Sequence, residues 1–565
     1  MHRAFLNHIM NNSLLYRLRS LLGFLLLTAG WLGGEPKDEV NRPRLVVGIV
    51  VDQMRYDYLT RFGAAFGDEG FRRLQREGTT FHAMHYNYVP TGTGPGHAAI
   101  WTGAYPAVSG IGNNDFYDRR LGQLVYCVED GSMTSVGVEG KEGQRSPHRM
   151  LVSTVGDELK LLTNQRSLSI GISLKDRSAV LPVGHLADGA YWFDYHSGRF
   201  ISSSFYGDTL PSWVENYNEK SRPEELLAQP WALRDAPETY VNSRPDDNAF
   251  EHAFAGESAP VFPHNIPAVA AQNAGSKGRF TLLSITPWGN TLVREMAEAA
   301  LRETELGRDD VPDVLAISFS ATDYVGHRFG PASREVEDTY RRFDDELSKL
   351  FATIEETVGW ENTLVFLTAD HAVSYNSAYL RSLGMGSAFS LNVKSLRADI
   401  ESAVESRYGA GPWVVEFYKG QVFLDRTRVR EAGLELAQVQ ETVRDYLLEL
   451  DAVADAVTAT DLSRAGAEDG FRSMMRQGSH PTRSGDVMTR FTAGTVFGYD
   501  KGASHGEAYT YDTHVPLLMA GPGLQVGVNH YERVVITQIA PTIAAALQIA
   551  APSGAFEGPL PVFKP

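Results

Sequence analysis

The sequence predicts an α/β fold, with a mostly parallel central sheet, helices on both faces and inserted cap segments. Three observations predict it. A continuous apolar run at Leu45–Val51 reads as a strand buried on both faces, and the apolar-rich stretches Leu168–Leu174, Val314–Phe319 and Leu364–Leu367 read as further strands. Segments with helical spacing alternate with them, as in a doubly covered parallel sheet. Polar residues able to do chemistry follow directly on the strands, where open α/β sheets bind ligands.

At 565 residues the chain is long enough for one large domain with insertions or for two to three domains. A formal net charge of −17 argues against a nucleic-acid backbone as partner, though local cations can still hold a small anion. The single cysteine, Cys127, excludes an intramolecular disulfide and a cysteine zinc site, so a transition-metal site must use histidine and carboxylates.

At the N-terminus His2, Arg3, Arg17 and Arg19 precede the apolar run Leu21–Trp31, which suits a signal-peptide core better than a membrane span. Residues 1–34 are expected to be a signal peptide cleaved between Ala29 and Glu35, with an uncleaved anchor as the alternative. The mature protein is then periplasmic or secreted, without a stable membrane anchor, and a monomer is expected.

Taken in order, Leu45–Val51 ends in Asp52, and Phe66–Glu77 has helical spacing. Thr91–Gly96 is a Gly/Pro-rich turn opening into a helix, whose unpaired N–H groups favour a phosphate-like anion. Thr93 sits where that anion would bind; as a bare motif it also fits a simple helix cap. Gly110–Asp118 is a polar loop containing Asn114. Leu151–Leu161 is a helix, and strand Leu168–Leu174 runs directly into Lys175, Asp176 and Arg177. Asp188–Lys277, rich in aromatics, Pro, Asn and Ser without periodicity, reads as an inserted cap and not as sheet.

Thr291–Arg302 returns to helix, and strand Val314–Phe319 leads to Asp323 and His327. Ser333 caps a long helix closed by Gly359. Leu364–Leu367 leads to Asp370 and His371. A second insertion covers about 377–484, after which come His505, a strand at Pro516–Ala520 and a helix at Ile539–Leu547. Carboxylate oxygens and imidazole nitrogens of Asp52, Asp323, His327, Asp370, His371 and His505 are ligand types for zinc or similar ions, and there are enough of them for two sites. Asp323 and His327, four apart, can face one ion from a single helical turn.

The chain resembles the alkaline phosphatase superfamily, and within it the exported phosphate-monoester phosphatases of the phosphate-irrepressible type, related to the nucleotide pyrophosphatase/phosphodiesterases. The resemblance runs from about Leu45 to Pro559. It rests on VVDQMRYDYL at Val50, TGTGPGHAAIWTG from Thr91, GNNDFYD from Gly112, SLKDR from Ser173, SATDYVGHRFGP from Ser320, TADH from Thr368, GASHG from Gly502 and YDTHVPLLMAGPG from Tyr511.

The resemblance implies that residues 35–565 form an alkaline phosphatase-like catalytic domain with caps around 188–277 and 377–484. It makes Thr93 the nucleophile, with its oxygen on a metal held by Asp52, Asp370 and His371. Asp323, His327 and His505 would hold the second of two Zn²⁺. Asn114 would donate to a phosphoryl oxygen, and Lys175 and Arg177 match the cationic pair of monoesterase members. A dianionic monoester suits such a clamp better than a diester does. The activity implied is hydrolysis of small phosphate monoesters through a phosphothreonine on Thr93. The alternative is a phosphodiesterase or nucleotide pyrophosphatase using the same two metals. A sulfatase fits less well, because Cys127 lies in CVED and Thr93 holds the nucleophile position; a non-catalytic phosphoester-binding module would not need the complete set. Ser109 and Ala372 depart from the residues common in the family, His and Gly, and neither is a ligand position.

Overall fold

The computed structural model describes residues 42–272, 278–464, 470–498 and 500–564; the expected signal peptide lies outside them. We number the principal strands of the main sheet β1 (Leu45–Val51), β2 (Thr79–His85), β3 (Ser169–Ser173), β4 (Gly189–Asp194), β5 (Arg199–Ser203), β6 (Asp313–Phe319), β7 (Thr363–Thr368) and β8 (His514–Ala520). The sheet has 11 strands, and its long members lie in the order β2-β8-β7-β1-β6-β3-β4-β5. From β7 to β4 every pairing is parallel, with Leu45 beside both Thr363 and Asp313. The flanks turn antiparallel at β8 and β5.

Strand β1 is apolar without alternation because helices cover both faces, and all seven of its residues are buried. One of those helices, Thr93–Thr102, lies against β1 at Gly48. A Cβ there would come within 2.4 Å of the Trp101 ring, so glycine is needed for the two to pack. The close approach fixes where the first turn of that helix, with Thr93, projects.

Topology then gathers the chain's chemistry at one edge. Strands β1, β3, β6 and β7 are parallel, so the residues following each emerge on the same side. Strand β8 runs the other way, so the segment preceding it, with His505 and Asp512, reaches that side too. Strand β2, antiparallel to β8, points its C-terminal end there as well and leads toward Thr93.

Residues 189–203 are sheet and not cap. Strand β4 pairs in parallel with β3, and β5 returns antiparallel to β4. All six residues of β4, GAYWFD, are buried, so the strand has no polar face to give the two-residue alternation sought in the sequence. Short helices such as Ser212–Asn218 and Arg222–Leu227 follow. The helix expected from Phe66 begins at Phe71, because Gly67 and Gly70 loosen the preceding turn and distant Asp344 accepts from the Gly67 and Phe71 amides.

The later insertion has a sheet of its own, antiparallel throughout, ordered Val414–Tyr418, Gln421–Leu424, Val487–Phe491, Val453–Thr458. Helices Val393–Tyr408 and Leu436–Leu448 cover it around a separate apolar cluster that includes Ile400, Trp413, Val443 and Leu447. Its third strand is drawn from residues beyond 484.

Candidate active site

Asp52, Asp370 and His371 converge at the ends of β1 and β7, each with no accessible surface. Their donor atoms lie within 4.8 Å of one another, as do those of Asp323, His371 and His505, so His371 stands between two clusters. His327 joins the second cluster through Nε2, 3.1 Å from Asp323 Oδ1. Asp323 and His327 lie one turn apart on helix Ala321–Phe329, as their spacing requires.

The three imidazoles are latched alike. Nδ1 of His327 lies 2.8 Å from the Ala503 carbonyl, that of His371 3.0 Å from the Ala372 carbonyl, and that of His505 3.1 Å from the Thr91 carbonyl. A carbonyl only accepts, so in the neutral ring the proton is on Nδ1 and the Nε2 lone pair is free to ligate. Burial lowers His371 to about 4 and His505 further, favouring neutral rings, whereas at His327 the pull of Asp323 outweighs burial and raises it. Asp512 accepts from the Gly506 and Glu507 amides at 3.0 and 2.8 Å, fixing the turn that carries His505.

These residues fit a pair of cations. Asp52 Oδ1, Asp370 Oδ2 and His371 Nε2 are buried without hydrogen-bond partners, and His371 Nε2 faces Asp52 Oδ1 at 3.5 Å, lone pair toward lone pair. Such a cluster of acceptors is costly unless positive charge lies among them. Burial together with Asp323 and Asp370 pushes the Asp52 carboxyl up, while His327 and Lys175 hold Asp323 low against burial.

Thr93 is buried at the start of its helix. Arg177 donates to Thr93 Oγ1 at 3.3 Å through one terminal nitrogen and to Tyr126 Oη at 3.0 Å through the other, so the guanidinium spans hydroxyl and wall. Asn114 accepts the Gly94 amide on Oδ1 at 2.8 Å, which leaves Nδ2 as its donor. The helix terminus therefore offers an anion less than the motif suggests: the Gly94 N–H is engaged and Pro95 has none. Lys175 contacts carboxylates, with Nζ 2.7 Å from Asp52 Oδ2 and 2.6 Å from Asp323 Oδ2, and so ties the two clusters together.

Residues not singled out in the sequence complete the arrangement. Gln53 has φ +68 and a buried side chain; its amide donates to Asp370 Oδ1 at 3.2 Å and its Nε2 to Asp323 Oδ1 at 2.5 Å. One strained residue thus braces both clusters. His97 lies 2.8 Å from the Thr93 carbonyl through Nδ1 and 2.9 Å from Ser318 Oγ through Nε2. Gly96 lets the helix rest on Asp370, where a Cβ would meet the carbonyl at 2.3 Å. Cys127 is buried beneath the same turn, and burial raises its thiol pKa. Gln53, Gly96 and His97 lie inside quoted motifs, but nothing in their types announces a supporting role.

The type I phosphodiesterase/nucleotide pyrophosphatase family model matches residues 46–515. The chain is 37% identical over 542 residues to alkaline phosphatase PafA of Elizabethkingia meningoseptica, covering 96% of this chain and 98% of that one. It is 39% identical over 515 residues to alkaline phosphatase PhoV of Synechococcus elongatus, covering 91% and 92%. A crystal structure of wild-type PafA aligns with a TM-score of 0.89 at 36% identity, over 93% of this chain and all of the other.

Proposed function

The chain belongs to the type I phosphodiesterase/nucleotide pyrophosphatase family, and we propose that it is a two-metal alkaline phosphatase acting on small phosphate monoesters. The observation that carries this reading is the Arg177–Thr93 contact beside the inward-facing acceptors of Asp52, Asp370 and His371. Asp52, Asp370 and His371 would hold one ion, and Asp323, His327 and His505 the other. Two zinc ions suit this oxygen and nitrogen donor set. Bound there, divalent ions make the Thr93 hydroxyl more acidic and offset negative charge on the departing oxygen.

The chain's own groups position and balance the reaction. Thr93 gives up its hydroxyl proton to solvent and Oγ1 attacks phosphorus. The new O–P bond forms as the ester P–O bond breaks, and the departing alkoxide takes a proton from water. Water later hydrolyses the phosphothreonine, releasing phosphate and restoring Thr93. Arg177 meets a nonbridging oxygen while holding the attacking hydroxyl in line, and Asn114 Nδ2 donates to another. Lys175 offsets the repulsion between Asp52 and Asp323. A monoester presents a dianion to this clamp, whereas a diester replaces one of its oxygens with a substituent and carries less charge.

Metal analysis combined with turnover of p-nitrophenyl phosphate and its methyl diester tests the reading. Two equivalents of zinc and a strong monoester preference at alkaline pH are expected. Arg177→Ala should reduce monoester kcat/KM about 100-fold and diester kcat/KM about tenfold. A diester preference in the unaltered enzyme would replace this reading with phosphodiesterase or nucleotide pyrophosphatase activity. The N-terminal apolar run supports export to the periplasm or medium, which N-terminal sequencing of the mature protein tests. Among the described residues no helix is long and apolar enough to cross a membrane.

A further inference from the structure

The inserted sheet sends one hairpin toward the catalytic edge. Strands Val414–Tyr418 and Gln421–Leu424 pair with Tyr418 opposite Gln421, so Lys419 and Gly420 alone make the turn. Both have positive φ, +46 and +74. Two-residue turns of this hand favour Asn, Asp or Gly at the first position, and a long side chain there is strained. Strain kept at a surface turn points to a use for the side chain.

The tip is held in place. Tyr418 Oη donates to Asp115 Oδ2 at 3.0 Å, next to Asn114, and the Thr489 amide donates to the Gly420 carbonyl at 2.8 Å. Lys419 is accessible to solvent, yet it lines a cleft with Ser374, His505, Glu507 and Asp512. Among the described residues its ammonium makes no hydrogen bond or ion pair. Enclosure in the cleft lowers its pKa against the pull of Asp323, Asp512, Glu507 and Asp115, which act on it only at longer range. The fold thus spends a strained position on an unpaired cation beside the Asp323–His327–His505 cluster, where the departing alcohol oxygen leaves under the phosphatase reading.

We propose that Lys419 is a specificity-determining residue that binds a second anionic group, a carboxylate or phosphate, on the alcohol part of the substrate. The inference rests on the phosphatase reading and adds a substrate class: monoesters of hydroxy acids and bisphosphates. A cation here also offsets the repulsion that a net charge of −17 exerts on such doubly charged substrates.

The test uses two aryl phosphates, one with a para-carboxylate and the other with the uncharged carboxamide. Phosphate release from the carboxamide ester by the unaltered enzyme checks the phosphatase reading by itself; if neither ester is hydrolysed, that reading and this one both fall. Lys419→Ala should lower kcat/KM for the carboxylate ester about tenfold more than for the carboxamide ester. Lys419→Arg should keep most of the preference. Lys419→Asn should lose it while raising Tm by about 1 °C, because asparagine suits the turn. Equal losses on both esters, or none on either, would overturn the proposal, as would Lys419→Asn lowering Tm with the ester ratio unaltered.

Discussion

The two candidate metal clusters differ in enclosure. Asp52, Asp370 and His371 have no accessible surface, whereas His327 exposes 38% of its side chain. The Thr93 helix rests on the closed cluster through Gly96 and Asp370. The open one faces the cleft that Lys419 enters. This division suits a reaction whose attacking group stays with the protein while its leaving group departs toward the more exposed side.

The sharpest way to break that division is at Thr93, the proposed nucleophile. Thr93→Ala should cost about 10⁴-fold or more in kcat/KM and keep both metals, measured by phosphate release and metal analysis; a wild-type rate would remove Thr93 from the mechanism. Next come the proposed ligands. Asp370→Ala should lose about 10³-fold with no recovery in added zinc, whereas His327→Ala should lose about 100-fold and recover in part, since water can complete the more open set. Identical zinc titrations for the two variants would erase the distinction.

Gln53→Leu should weaken both clusters together, with each metal affinity falling about 10-fold to 100-fold by competition with a chelator. Loss confined to one cluster would show that Gln53 does not couple them. A separate effect, on fold stability and not on the metal clusters, comes from a buried acidic cluster balanced by histidine. His264 lies 3.1 Å from Glu257 and 3.2 Å from Glu335, and although burial opposes it these carboxylates raise its pKa from 6.5 to about 9. The folded value is the higher, so the stabilisation is complete below about pH 6.5 and is lost as pH rises through about 9, on the order of 3 kcal/mol. His264→Gln should flatten Tm against pH across that window; a decline as steep as wild type would place the sensitivity elsewhere.

Much of the central sheet was legible because its strands are apolar-rich: β1, an unbroken apolar run, and the helix Ile539–Leu547 have the expected bounds. The convergence of Asp52, Asp323, Asp370 and His371 followed from their places after strands. His505 was counted among the candidate ligands by residue type, but its arrival depends on β8 running antiparallel, which no local pattern encodes. β4 and β5 were hidden by burial on both faces, and the start of the 71–77 helix by Asp344, which caps it from far along the chain. Gln53 and Lys419 were invisible for a common reason. Each owes its place to a backbone angle that its residue type disfavours.

Latching His327, His371 and His505 through main-chain carbonyls has a consequence for mutational drift. The groups that hold the rings are the peptide oxygens of Ala503, Ala372 and Thr91, which every residue type supplies. The identities of those three positions are therefore close to neutral for ring orientation. Selection needs to guard only the path of the backbone there, and many different sequences share that path.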